Sequence, residues 1–278
     1  MRRVIFYIIL FLYSSSITAQ LKGKLIFESQ GVAKKHIYML DTNRKFAIFL
    51  TQGVCPAISP DKKLMAYIVP ETEDEQGHVF IYDFETRKPK ELVTLLACNP
   101  HWSPDGKSIL FEYFDKGKAS IYIADAVTGK YKLLIPNAKN PSWSPDRKEI
   151  AFERNYDIYT AKLNAPGKAK QITRTDKIIE KFPTWSPDGK FMACQVQING
   201  GAKEENYIQL LNLQTGKKEK LVDQDPNYFS WADENHLLIN IEDDKHFLQI
   251  AELNINDHTV RMITTGEENH WWPVWVGK

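Results

Sequence analysis

Trp102-Ser-Pro-Asp-Gly106 is one of four versions of the same phrase in this 278-residue chain. The other versions are Ile58-Ser-Pro-Asp61, Trp143-Ser-Pro-Asp146 and Trp185-Ser-Pro-Asp-Gly189. They recur about every 42 residues, a period typical of β-propeller repeats, in which each repeat folds into a four-stranded blade. Proline presets φ, serine and aspartate side chains can bond turn amides, and glycine accepts a positive φ. The phrase therefore predicts a tight hairpin with a structural role, preceded by a tryptophan that packs between blades.

Weaker repeats bring the predicted number of blades to six. The anchor residues are Ile58, Trp102, Trp143, Trp185, Trp231 and Trp275, and a proline lies two residues before most of them. Short β-branched and aromatic runs follow the anchors, as expected for strands. Residues 25–28, 36–40 and 47–50 supply three strands without a first one, and residues 272–276 supply a first strand without successors. We therefore predict an all-β, six-bladed β-propeller over residues 20–278, closed when the C-terminal strand joins the N-terminal three.

The N-terminus has the pattern of a secretory signal peptide. Arg2 and Arg3 precede an apolar run over residues 4–13, and small residues follow up to Ala19. An uncleaved membrane anchor is the alternative, but a run of about ten residues is short for a bilayer. We expect a signal peptide over residues 1–19 and a periplasmic or secreted protein without a transmembrane span.

Charge and cysteine content narrow the class of protein further. A net charge of +1 gives no indication of nucleic-acid binding. We also expect a monomer. The three cysteines, Cys55, Cys98 and Cys194, cannot all pair within one chain. A Cys55–Cys98 bridge is possible, but disulfide geometry is strict, so three buried thiols are the favoured prediction.

Strand order assigns every loop to one of two faces. The inlet face carries the loops that precede each first strand and the loops between the second and third strands. The turn face carries the Ser-Pro-Asp turns. The loop residues give the inlet face a charge of about −9 and the turn face about +8, a field that would steer partners. The acidic residues include Glu71, Glu73, Asp74, Glu75, Asp223, Asp225, Asp243, Asp244, Glu267 and Glu268, and the basic ones include Lys168, Lys170, Lys217, Lys218 and Lys220. The alternative is that these are ordinary solvated turn residues.

The mouth of the central channel on the inlet face is the predicted binding site, because irregular loops on a rigid scaffold usually carry function. The predicted partner-binding residues are Asn99, Lys139, Asn140, Lys181, Asn227, Tyr228, Glu267, Glu268 and His270.

Signals of enzyme chemistry are weak in this sequence. The chain has no Gly-x-Ser-x-Gly motif and no His-x-x-x-His spacing. His36, His78, His246 and His270 map to the inlet face, where a metal site assembled from several blades is an alternative. A cation held by the acidic loops is another. We predict no catalytic residue, no metal and no cofactor.

The motifs resemble those of a known family. The repeated Pro-x-Trp-Ser-Pro-Asp-Gly-Lys, the Ile-Ala-Phe-Glu at residues 150–153, and Ile121-Tyr122 and Ile158-Tyr159 resemble the propeller of TolB proteins, a WD-like repeat fold. The resemblance covers nearly the whole predicted mature chain and is more specific for fold than for function.

The resemblance implies a non-catalytic scaffold of the periplasm or cell envelope. It also implies that the channel mouth receives a protein such as a peptidoglycan-associated lipoprotein. We expect the N-terminal domain of TolB to be absent, because the first strand begins soon after the predicted cleavage site. The alternative function is a glycan-acting enzyme or a sugar-binding protein that uses the channel mouth.

Overall fold

A computed structural model describes residues 21–30, 35–175, 178–198, 205–222 and 228–277. The predicted signal peptide and Asn227 lie outside these ranges, as do Asp223 and Asp225 of the predicted acidic loops. The described residues form 23 β-strands, and no α-helix occurs among them. No helix in these ranges has the length and apolar character needed to cross a bilayer.

The first three strands are consecutive and antiparallel. They are β1 (Lys24–Gln30), β2 (Lys35–Asp41) and β3 (Phe46–Gln52). Seven further strands then form one continuous sheet in chain order. They are β4 (Val54–Ile58), β5 (Leu64–Pro70), β6 (Gly77–Asp83), β7 (Lys88–Trp102), β8 (Ser108–Asp115), β9 (Lys118–Asp125) and β10 (Tyr131–Ile135).

Three four-stranded antiparallel sheets follow in chain order. The first contains β11 (Lys139–Trp143), β12 (Glu149–Arg154), β13 (Asp157–Lys162) and β14 (Lys170–Gln171). The second contains β15 (Ile178–Trp185), β16 (Phe191–Ile198), β17 (Glu205–Asn212) and β18 (Lys218–Val222). The third contains β19 (Phe229–Trp231), β20 (His236–Glu242), β21 (Leu248–Asn254) and β22 (Val260–Met262). The last strand, β23 (His270–Gly277), pairs antiparallel with β1, so the two ends of the described chain share one sheet.

The 15-residue strand β7 differs from the prediction, which had two separate strands in this region. Its first half pairs with β6 and its second half with β8. Residues 93–98 are Val-Thr-Leu-Leu-Ala-Cys, with no proline, glycine or asparagine to break the strand. The chain therefore passes from one repeat to the next without leaving the extended conformation.

The four Ser-Pro-Asp turns share one hydrogen-bond pattern, which confirms the predicted hairpin. In the first, the Ser59 hydroxyl donates to Asp61 Oδ1 at 2.7 Å and accepts the Leu64 amide at 2.9 Å. Asp61 Oδ1 also accepts the Lys63 amide at 3.2 Å. The turns at Ser103, Ser144 and Ser186 repeat all three bonds.

Tryptophans link neighbouring repeats, as predicted. The indole Nε1 of Trp102 donates to the Ala57 carbonyl at 3.1 Å, and that of Trp143 to the His101 carbonyl at 3.3 Å. Trp231 Nε1 donates to the Thr184 carbonyl in the same way. Each bond runs to the first strand of the preceding repeat, so the anchor residues fix the contact between repeats.

The core consists of apolar clusters between neighbouring sheets. Phe27, Tyr67, Phe111 and Phe152 occupy the same position on the second strand of four repeats and are fully buried. The three cysteines are free thiols, so the alternative Cys55–Cys98 bridge is not formed. Cys55 and Cys194 are buried, whereas Cys98 is partly exposed.

Candidate functional site

A central cavity of about 250 Å³ lies among the first strands of the repeats. Its lining comes from residues 55–58, 99–102, 140–141, 182–184, 228–230 and 272–274. These six segments belong to or adjoin β4, the second half of β7, β11, β15, β19 and β23. The cavity is therefore the point at which separate repeats bring their side chains together.

The residues that precede the repeated prolines have an unusual backbone. Cys55, Asn99, Asn140, Phe182 and Trp272 all have φ between 48° and 54°. At each of them the register with the neighbouring strand shifts, as at a β-bulge. Left-handed backbone costs roughly 1–2 kcal/mol for a residue with a side chain. Such strain concentrates at ligand and catalytic sites, so these five residues are candidates for a binding site.

Together with Tyr228, which occupies the same position in its repeat, these residues form what we call the pre-proline ring. Three consecutive members are aromatic: Phe182, Tyr228 and Trp272. The Tyr228 and Trp272 rings stack with centroids 4.1 Å apart, and Phe182 meets Tyr228 edge-on at 6.1 Å. All three side chains are half-buried and line the cavity. Aromatic surface thus forms one side of the channel.

The other side is polar and is organised by two buried glutamates. Asn99 Nδ2 donates to Glu112 Oε1 at 2.6 Å, and the same oxygen accepts the Asn140 backbone amide at 2.9 Å. Asn140 Nδ2 donates in turn to Glu153 Oε2 at 2.7 Å. His101 Nε2 lies 2.9 Å from Asn99 Oδ1. The amides of Asn99 and Asn140 are therefore held in fixed positions.

A buried glutamate also connects the N-terminal sheet to the next repeat. Glu28 on β1 accepts the backbone amide of Cys55, which lies at the bulge of β4. Lys35 Nζ is 3.9 Å from Glu28 and 2.6 Å from Glu75. Burial raises the pKa of the Glu28 carboxyl to about 8 and that of Glu112 to about 7. Both carboxyls hold the strained backbone of the following repeat.

The histidines do not converge on a metal. No group of three or more histidine, cysteine, aspartate or glutamate side chains suited to a metal ion occurs in the described part of the chain. His78 pairs with Glu71 and Glu91, and His246 pairs with Glu242. Burial lowers the pKa of His101 and of His270 to about 4, so both rings are neutral at pH 7.

The structure distributes the predicted binding residues over three environments. Asn99, Asn140 and Tyr228 line the central cavity. Lys139 and Lys181 lie beside it, where Lys139 pairs with Glu153 at 3.1 Å and Lys181 donates to Gln197 at 2.7 Å. The last group is Glu267, Glu268 and His270, in or next to the loop before β23, and Asn227 is outside the described residues.

Glu267, Glu268 and His270 differ in their exposure to solvent. His270 is 2% exposed and its Nδ1 contacts Thr264 and Gln249, so its ring is part of the core. Glu267 and Glu268 are exposed, and each has a partner. Glu267 pairs with Lys245 at 3.0 Å, and Glu268 accepts the Ser29 hydroxyl at 2.9 Å. The surface of this loop is therefore acidic but partly neutralised.

Sequence reasoning missed Phe182 and Trp272, the two aromatic residues that adjoin Tyr228. In these two repeats the predicted binding residues nearest to the proline were Lys181 and His270, which precede Phe182 and Trp272 by one and two positions. The available signal was the residue immediately before each repeated proline, because this position is Cys, Asn, Asn, Phe or Trp in different repeats. Where the proline recurs and the residue before it varies, the backbone is the same in each repeat and only the side chain changes.

These observations define an all-β propeller protein with a lined central channel. A family model for the TolB beta propeller domain matches residues 27–277, so the chain belongs to the TolB beta propeller domain family. The predicted resemblance and the predicted propeller fold are confirmed.

Solved structures agree on the fold. TolB from Acinetobacter baumannii matches with a TM-score of 0.78 and 20% identity, over 95% of this chain and 69% of that one. The putative TolB from Agrobacterium tumefaciens matches with a TM-score of 0.67 and 17% identity, over 86% of this chain and 88% of that one. The Tol-Pal system protein TolB of Xylella fastidiosa strain M12 is 50% identical over 36 residues, which is 13% of this chain and 8% of that protein.

Proposed function

We propose that the described sheets are six blades of a closed propeller. The seven-stranded sheet would then be two blades that share β7, and the sheet of β23, β1, β2 and β3 would be the blade that closes the ring. Two observations support this count. Six first-strand segments line the same cavity, and β23 pairs with β1.

We further propose that the protein is a non-catalytic scaffold of the periplasm or cell envelope that binds a protein at the channel mouth. The observation that carries this proposal is the contrast between the two faces. Four turns of the turn face repeat the same hydrogen bonds, as expected for structural elements. The pre-proline ring residues that line the channel are Cys, Asn, Phe, Tyr or Trp in different repeats, although five of the six share the same left-handed backbone. Variable side chains on a constant backbone are the arrangement of a recognition surface.

The buried reactive groups near the channel support a non-catalytic role. Burial raises the pKa of the Cys55 and Cys98 thiols, so the nucleophilic thiolate is disfavoured in both. Burial also raises the pKa of the Cys194 thiol to about 12. Glu112 and Glu153 accept hydrogen bonds from asparagines of the pre-proline ring. These groups contribute to structure in the arrangement described.

The partner and location follow from the family and remain part of the proposal. An exported monomer with a signal peptide over residues 1–19 would meet proteins of the envelope, such as a peptidoglycan-associated lipoprotein. The exposed acidic residues Glu267 and Glu268 would contribute to the surface that attracts this partner. Half-buried Lys139, Lys181 and Tyr228 would contact it closer to the channel.

An affinity capture experiment from envelope extract tests this role. The double charge reversal Glu267→Lys and Glu268→Lys should reduce recovery of the partner, because it inverts the charge beside the mouth. Lys107→Glu with Lys130→Glu is the matched control, since both lysines are exposed on the turn face. Equal recovery by the native protein and the Glu267/Glu268 variant, or a larger loss with the control, would contradict the proposed surface.

A further inference from the structure

The wall of the central cavity has two chemically different halves. Consecutive repeats are neighbours, so Phe182, Tyr228 and Trp272 form one continuous arc and Cys55, Asn99 and Asn140 form the opposite one. The first arc presents aromatic rings in mutual contact. The second presents two asparagine amides, next to His101. A ligand that fills this space must therefore be apolar on one side and polar on the other.

Cavity size limits what can enter. A volume of about 250 Å³ is below the usual range of about 300–1,000 Å³ for drug-sized ligands. It suits a single ring with small substituents and is too small for a folded segment of protein. The occupant is therefore one small unit, either free or at the end of a longer molecule.

Charge in the wall is low. The lining contains no aspartate, glutamate, lysine or arginine among its described residues. His101 is neutral at pH 7, since burial lowers its pKa. Glu112 and Glu153 are behind the asparagines and already accept their amide protons. A charged ligand would lose its hydration here without gaining an opposite charge, which is strongly unfavourable.

Polar groups in the second arc disfavour a purely apolar occupant. Each asparagine amide has hydrogen-bonding capacity beyond its bonds to Glu112, Glu153 and His101, because an amide carries two N–H groups and an oxygen with two lone pairs. Hydrocarbon in the cavity would leave that remaining capacity unpaired, at a cost of about 1–3 kcal/mol for each group. A sugar ring can make favourable contacts with both the aromatic arc and the polar arc. A pyranose presents C–H groups on one face, which can stack on aromatic rings, and hydroxyls at its edge, which can bond amides.

We propose that the central cavity binds the ring of a neutral sugar, with its C–H face against the aromatic arc of Phe182, Tyr228 and Trp272. Its hydroxyls would be directed to Asn99, His101 and Asn140. The two proposed sites share Tyr228, but the sugar lies inside the channel and the protein partner is proposed to contact exposed Glu267 and Glu268 beside the mouth. The two proposals can therefore fail separately. A scaffold with both sites would hold an envelope protein and a terminal sugar residue of an envelope glycan at the same mouth.

The test is a titration of the full chain with free neutral sugars, followed by ligand-observed NMR. The probes are N-acetylglucosamine, glucose and cellobiose, with glucuronate as the anionic counterpart and N-acetyltryptophanamide as a mimic of a protein side chain. We expect saturable binding of at least one neutral sugar, and binding of glucuronate at least tenfold weaker than that of glucose. Absence of saturable binding by all three neutral sugars would overturn the proposal. So would binding of N-acetyltryptophanamide that Trp272→Leu abolishes but that none of the three sugars displaces.

Variants then locate the site. Trp272→Leu keeps the residue apolar but removes its aromatic ring, and should weaken sugar binding about five- to tenfold. Phe182→Leu provides a second test if the first variant does not fold, as judged by its thermal unfolding midpoint. Trp271→Leu is the matched control, because Trp271 is the neighbouring residue but does not line the cavity.

Sugar affinity unchanged in both cavity variants would place the sugar elsewhere and contradict the proposal. The Glu267→Lys and Glu268→Lys variant should bind sugar as the native protein does. Sugar binding that persists while protein capture fails would leave this proposal standing and contradict only the protein-binding role.

Discussion

At the residue scale, the pre-proline ring combines backbone strain with side-chain hydrogen bonds. Asparagine tolerates left-handed backbone better than most residues, so Asn99 and Asn140 meet two requirements at once. Their φ angles are 51° and 53°, and their amides bond buried glutamates. Cys55, Phe182 and Trp272 have the same backbone without that tolerance. This strain indicates that side-chain identity is constrained by more than local conformation.

Substitutions at Asn99 separate these two contributions. Asn99→Ala should lower the free energy of unfolding by about 3 kcal/mol, through loss of a hydrogen bond to buried Glu112 and added left-handed strain. Asn99→Gly should cost about 2 kcal/mol, because glycine accepts the backbone without strain. Urea unfolding measures both values.

Asn137 provides the matched control, since it is exposed and has φ of 50°. Asn137→Ala should cost only about 1 kcal/mol, and Asn137→Gly almost nothing. Equal costs at Asn99 and Asn137 would show that the Asn99–Glu112 bond contributes nothing measurable.

Glu28 should make stability depend on pH. Its pKa is raised by burial, so its contribution to stability is complete below the pKa of the unfolded chain, near 4.5, and is lost as pH rises through about 8. Glu112 behaves in the same way up to about pH 7. His101 and His270 have lowered pKa values, so their contribution is lost as pH falls from 6.5 towards 4. Below pH 6.5 the glutamates and the histidines change stability in opposite directions as the pH varies. Above pH 6.5 only the two glutamates contribute to the pH dependence of stability.

We therefore expect stability to fall between pH 6.5 and 8, and Glu28→Gln to reduce this fall by about 2 kcal/mol. Glutamine keeps an acceptor for the Cys55 amide, while Lys35 and Glu75 remain paired beside it. Glu267→Gln, at an exposed site, is the control and should leave the slope unchanged. Urea midpoints at several pH values give the result, and a Glu28→Gln variant with the native slope would refute the assignment.

At the element scale, the Ser-Pro-Asp turn is a unit that tolerates one variation. Its last residue is Gly106 or Gly189 in two turns, with φ of 69° and 73°, and Lys62 or Arg147 in the others, with φ of 62° and 63°. The conformation is the same whichever residue is present. The three side-chain hydrogen bonds of each turn therefore suffice to impose it.

Opposite substitutions in two turns should have opposite effects. Gly106→Ala should lower the free energy of unfolding by about 1 kcal/mol, because the new Cβ meets nothing closer than 3.7 Å and the cost arises from φ alone. Lys62→Gly should raise it by up to about 1 kcal/mol through relief of the same strain. Thermal unfolding of both variants checks the prediction, which fails if the two shifts have the same sign.

How far the sequence predicts this structure depends on the element. The turns and anchor tryptophans were predictable because proline, glycine and serine act locally. The continuity of β7 was not, since no local signal shows whether two adjacent extended runs are one strand. The side chains that line the cavity depend on which residue of each bulge turns inward, and Phe182 and Trp272 were missed for that reason. Burial of His270 depends on packing against Phe27 from a distant part of the chain, which spacing alone does not reveal.

At the scale of the whole molecule, one repeated backbone supports two different surfaces. Four turns of the turn face repeat the same hydrogen bonds, whereas the pre-proline ring that lines the channel carries Cys, Asn, Phe, Tyr or Trp in different repeats. Ion pairs such as Glu75–Lys35 and Glu267–Lys245 neutralise individual acidic residues locally at the inlet face. Specific contacts at the rim are therefore expected to matter more than long-range attraction for binding.

Site-specific photocrosslinking tests the protein-binding role most directly. A benzophenone amino acid would replace Lys139 or Glu267 near the mouth, and Lys107 or Lys130 on the turn face. After irradiation in envelope extract, both mouth positions should yield an adduct with the same protein, and neither turn-face position should. Adducts formed equally from both faces, or none from the mouth, would contradict a scaffold that binds its partner at the inlet face.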